Sequence, residues 1–259
     1  MKKFLTSLAC LSFVLAGGIS LASCGGDKSI VDTSGNYKDA TAEEFAEATS
    51  GYSATTKGYK FRISIDAEIG EDVDITGLGL EEGKARFDFN GLIDYEGNVF
   101  FEGDAYFKGT LQGIEVKYDA DGSVYYDNET GTTYRDLNGK KEKYTGSSDS
   151  SIFENMFEAF GGAVDSEGIV EQYFSNSNGT YQIATSDTYT KIRFDVSETA
   201  EGSEDIAEGT FYLILDAEKN FEGFRMEANL YGMSQIIEFV ATESVVEFPS
   251  DLDSYALVI

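Results

Sequence analysis

The sequence has no histidine and no tryptophan, one proline and two cysteines, and its 19 Lys and Arg are outnumbered by 47 Asp and Glu. Each shortage excludes something. Without histidine there is no imidazole base, no Ser-His-Asp triad and no His-containing metal site. Two cysteines cannot build a disulfide framework. A formal net charge of -28 argues against nucleic acid as a partner, because phosphates demand a basic surface. Disorder fits no better, since 41% hydrophobic and 14% aromatic content can fill a core. The 259 residues allow one or two compact domains.

What is present begins with an export pattern. Lys2 and Lys3 precede an uncharged stretch, Phe4 to Gly26, whose apolar part is densest from Leu8 to Ala16. Such a segment is a membrane-insertion signal. Leu21, Ala22, Ser23 and Cys24 resemble the lipobox of bacterial lipoproteins, in which a leucine and two small residues precede the cysteine. The resemblance implies cleavage between Ser23 and Cys24 and acylation of the Cys24 sulfur. Its consequence is an extracytoplasmic protein anchored to the bacterial cell membrane, with the bilayer as partner through its acyl chains. Two or more such chains hold a protein stably. Cys10 lies inside the apolar run and leaves with residues 1–23, so no internal disulfide remains possible. Residues 24–40 are small and polar and read as a flexible tether.

From Thr41 onward the patterning builds a domain, 41–259. Thr41 followed by Glu44 is a capping pair for a short helix over 42–49. Period-two alternation then takes over. Tyr59, Phe61, Ile63, Ile65, Ala67 and Ile69 alternate with polar residues, so one face is buried and the other meets water. Further runs start at Ala85, Val99, Ile114, Val124, Thr132, Tyr181, Ile192, Phe211, Phe224, Ile237 and Val245. Glu96-Gly97-Asn98, Asp121-Gly122, Glu129-Thr130-Gly131 and Asn138-Gly139 read as tight turns. A helical insertion around 150–175 separates two strand sets: Phe153, Phe157 and Phe160 recur at helical spacing, and a second helix follows over 166–174. An echo at an offset of 123 sets residues 104–115 against 227–238.

The expected fold is mainly β (α+β): a large, strongly curved antiparallel sheet or half-barrel of about eleven strands with two or three short covering helices. The layout resembles the superfamily of LolA, LolB and the mycobacterial LppX-type lipoproteins. The matching features are the helix before the long strand 59–69, the hairpin run over 116–139 with Asp121, Gly122, Tyr125 and Tyr126, and the helical pair at 152–174. The resemblance implies a half-open barrel lined by apolar side chains under a helical lid.

Chemistry-bearing motifs are scarce. Asp119, Asp121, Asp127 and Glu129 lack the EF-hand spacing and read as hairpin turns rather than a metal site. Glu71, Asp72, Asp74, Glu81 and Glu82 read as a solvated loop. The G-x-S-x-G elbow and the phosphate-cradling glycine motifs are absent. No catalytic residue, metal or cofactor is expected, and the chain reads as non-enzymatic. The aromatics are the informative feature. Phe89, Phe101, Phe107, Phe153, Phe157, Phe160, Phe194, Phe211 and Phe224 read either as core or as the lining of a groove for a lipid or another hydrophobic ligand. The alternative is a surface protein-interaction or adhesion module with a filled core.

Overall fold

The structure, a computed structural model, describes residues 29–51, 57–69, 80–111, 114–145, 180–199, 206–230 and 233–258. It is one curved, unclosed sheet of thirteen strands among the described residues. The strands are β1 (Lys38–Ala40), β2 (Gly58–Ile69), β3 (Leu80–Ile93), β4 (Val99–Leu111), β5 (Ile114–Asp127), β6 (Thr132–Leu137), β7 (Lys140–Thr145), β8 (Thr180–Thr185), β9 (Tyr189–Thr199), β10 (Ile206–Asp216), β11 (Phe221–Leu230), β12 (Met233–Thr242) and β13 (Ala256–Leu257). Their order is β1-β8-β9-β10-β11-β12-β2-β3-β4-β5-β6-β7-β13.

That order is two meanders, β2 to β7 and β8 to β12, fused where β12 pairs with β2. Short connections force antiparallel neighbours. The one parallel pair among the described strands is β13 on β7. The chain leaves the first meander at one margin, at Thr145, and re-enters at the other, at Thr180. The helices expected around 150–175 lie outside the described residues.

The expected helix is present as α1 (Ala42–Thr49). Thr41 accepts a hydrogen bond from the Glu44 amide and Glu44 accepts one from the Thr41 amide, the reciprocal cap that the sequence announces. Phe45 carries α1 onto the sheet, its ring 4.6 Å from that of Tyr181. Lys219 donates to the carbonyls of Glu47 and Ser50, holding the far end of the helix.

Several expectations change. The turn at Asp121-Gly122 does not exist, because β5 runs unbroken through it. Gly122 instead pairs with Gly103 across β4 and β5. A Cβ on Gly103 would lie 2.0 Å from the Asp88 carbonyl oxygen, and one on Gly122 1.8 Å from that of Asp136. The glycines are there for close backbone approach, not for reversing the chain. The run at Val245 to Phe248 is not a strand, whereas 140–145, which lacks apolar alternation, is. The echo at offset 123 does not mark equivalent hairpins. It would set Leu111, where β4 ends, against Ser234 inside β12.

The tether is the largest difference. From Ser29 onward, residues assigned to it lie along the sheet. Val31 is buried, Asp32 meets Lys191 on β9, and Lys38–Ala40 pairs with β8. The tail does the same on the other half. The Val246 amide donates to Asp94, and Phe248 and Tyr255 stack along Tyr125 and Tyr134. Both straps lie on the charged face of the sheet, because their partners Glu238, Lys191, Tyr125 and Tyr134 occupy the alternate, non-core positions of their strands.

Candidate functional site

The opposite face is a continuous apolar surface. Register alone aligns its side chains in rows across the strands. One row runs Phe101, Gly91, Phe61, Phe239, Phe224, Leu213, Ile192. The next runs Phe89, Ile63, Ile237, Met226, Phe211, Phe194. Of the nine phenylalanines expected to line a groove, Phe89, Phe101, Phe194, Phe211 and Phe224 are buried in one contiguous cluster, and Phe107 is half-buried against it. Adjacent rings touch: Phe89 and Phe101 edge to face at 6.4 Å, Phe194 and Phe211 at 6.2 Å, Phe211 and Phe224 at 6.4 Å. Phe153, Phe157 and Phe160 lie outside the described residues, as do Ser23 and Cys24. Among the described residues α1 covers the β8 margin of this face.

One member of the surface is out of character. Gln235 occupies an apolar position of β12, between Ile65 on β2 and Ala228 on β11. It is 1% exposed, and neither its amide nitrogen nor its amide oxygen has a hydrogen-bond partner. Its signal was legible. At 233, 235, 237, 239 and 241 the period-two run reads Met, Gln, Ile, Phe, Ala.

The charged face holds the straps electrostatically. Glu238, fully buried, accepts hydrogen bonds from the Ser29 hydroxyl, the Ile30 amide and the Arg225 guanidinium. Lys191, 3% exposed, gives its three ammonium protons to the Asp32 carboxylate at 2.9 Å and to the Asp32 and Ser34 carbonyls at 2.7 and 2.9 Å. Hydrogen bonds from Ser34 and Lys191 hold the Asp32 carboxyl down at about 2. A cavity of about 280 Å³ lies beside this anchor, lined by Val31, Lys191, Ile214 and Val240 among others. It is on the charged face, away from the phenylalanines. Nothing in the sequence marks Lys191 or Glu238 as buried, because both sit at positions that alternation assigns to water.

Among the described residues no group of three or more Cys, Asp or Glu is placed to hold a metal ion, and no helix is long and apolar enough to cross a membrane. No family model and no curated protein matches the chain. Among solved structures, the Mycobacterium tuberculosis lipoprotein LppX is similar at 14% identity and a TM-score of 0.32, over 79% of this chain and 94% of that one. At those values neither fold family nor ligand transfers from it.

Proposed function

We propose that this protein is a membrane-anchored extracytoplasmic lipoprotein that binds a lipid or similar apolar molecule against the phenylalanine-rich face of its sheet, without catalysis. The observation that carries the reading is the continuity of that face from β9 to β5 on a sheet that does not close on itself. So wide an apolar layer on one sheet is a surface against which an acyl chain can pack. The test is extraction from membranes. A soluble form starting after Cys24 is mixed with vesicles containing a fluorescent acyl lipid and separated by gel filtration. The probe should elute with the protein; a protein peak without probe at saturating lipid contradicts the proposal.

The LASC sequence supports lipidation of Cys24. In Cys24→Ser the precursor should stay unmodified and lose its detergent-phase partition. Membrane retention without acylation, read by intact mass, would count against the anchor. The docked strap also limits reach. Ser29 follows Cys24 by five residue steps, which span about 17 Å at most. The domain then rides close against its bilayer. A dye at Ser34 should be quenched by headgroup-borne quenchers, and an unquenched dye would contradict the short reach.

A further inference from the structure

We infer that Gln235 is the recognition point of the apolar face and selects an apolar chain carrying a hydroxyl part-way along its length. The inference rests on the lipid-binding reading above and deepens it.

Two observations converge. First, the amide is buried with both its donor and its acceptor unpaired, a condition that folded proteins rarely tolerate. A leucine or isoleucine would continue the run through 237 and 239 without that cost. Second, the row through Gln235 turns shallow on one side. Phe87 and Ile65 stand on one flank, but Ala228 and then Gly209 stand on the other. In the neighbouring row the same strands carry Met226 and Phe211. Oδ1 of Asp88, buried without a hydrogen bond, lies on the charged face 3.6 Å from the Arg62 guanidinium, its ion-pair partner, and takes no part.

The chemistry narrows the ligand. A carboxamide presents N–H and C=O side by side. A hydroxyl both accepts and donates, so one hydroxyl can engage the nitrogen and the oxygen in turn or together. A plain ester can accept from the nitrogen but leaves the oxygen orphaned, and an alkene pairs with neither. A charged headgroup would be desolvated among Ile65, Ala228 and Met226, none of which carries a charge.

The probes are methyl ricinoleate and methyl oleate, which share a chain and differ by one hydroxyl. Delipidated wild-type protein should bind the ricinoleate about tenfold more tightly. Gln235→Leu should bind both equally, at the oleate affinity, and should melt at a higher temperature than delipidated wild type. Equal affinities in wild type, or a preference that survives in Gln235→Leu, overturns the role of Gln235 while oleate binding leaves the wider reading standing. A lower melting temperature in Gln235→Leu also overturns it, because the amide would then have a partner. Failure of both esters to bind overturns the inference together with the lipid-binding reading.

Discussion

Lys191 and Asp32 provide the sharpest test of the N-terminal strap. Removing either breaks the same anchor, but the two losses differ in size. In Lys191→Met three hydrogen bonds disappear, each about 1.5–3 kcal/mol when one partner is charged. Against that, a buried ammonium no longer has to be stripped of water, which recovers several kcal/mol. The Asp32 carboxylate, 75% exposed, returns to solvent at little cost. The expected net loss is about 1–2 kcal/mol. In Asp32→Ala the ammonium stays buried with two carbonyls and no counter-charge. Breaking a buried pair costs about 3–5 kcal/mol, which the exposure of Asp32 reduces to about 2–3 kcal/mol. The smaller side chain therefore costs more. The double variant should match Lys191→Met alone, a coupling of about 2 kcal/mol. Urea melts measure all three, and thermal midpoints should fall by about 2–4 °C per kcal/mol. Proteolysis within residues 29–40 should accelerate in step. An Asp32→Ala protein within about 0.5 kcal/mol of wild type, with strap cleavage unchanged, would refute a docked strap.

Ser34 and Lys191 together set an acid limb at Asp32. Its carboxyl is depressed from an ordinary 3.8 to about 2, so its contribution is present above about pH 4 and is lost as pH falls through 2; pH-dependent melts should show this loss in wild type and a smaller one in Lys191→Met, where the Ser34 hydrogen bonds remain. Gly122→Ala should cost about 3 kcal/mol or more in a urea melt, because its methyl group would meet the Asp136 carbonyl oxygen at 1.8 Å; a neutral result would mean the β5–β6 approach is looser than described. Phe194→Ala should cost about 3–5 kcal/mol in the ligand-free protein, since the ring is fully buried against Tyr181 and Phe211, whereas a loss under 1 kcal/mol would mean the ring packs against little.

Much of the architecture was legible because alternation and capping are local. The run from Tyr59 to Ile69, the Thr41–Glu44 cap and the turns at 96–98 and 138–139 depend on neighbours within a few residues. Asp121-Gly122 misled for a physical reason. Asp-Gly favours a turn, yet glycine also permits close strand approach, and which use applies depends on Asp136, fourteen residues away. The straps were illegible for the same reason. Residues 29–40 are polar and small, and their burial depends on Glu238 and Lys191, far along the chain. One local repeat escaped notice. Asp94-Tyr95-Glu96-Gly97-Asn98 and Asp216-Ala217-Glu218-Lys219-Asn220 close the β3–β4 and β10–β11 hairpins alike. In each, the aspartate accepts from the amides two and four residues on and from the asparagine side chain. Gly97 and Lys219 both take a positive φ. The two turns stand 122 residues apart. At the site, six of the nine phenylalanines share one face because period two dictated it. Gln235 broke that period in plain view, but a lone polar residue acquires meaning only once its burial is known.

The central claim is that the apolar face holds a ligand, and analysis of what the protein carries tests it most directly. The chain is purified from membranes without delipidation, desalted into a volatile buffer, and extracted into organic solvent for mass spectrometry against a protein standard. The account requires a hydroxyl-bearing apolar molecule at near-stoichiometric yield, depleted in Gln235→Leu. Protein whose extract contains no apolar molecule, from a preparation that melts cooperatively, would contradict it.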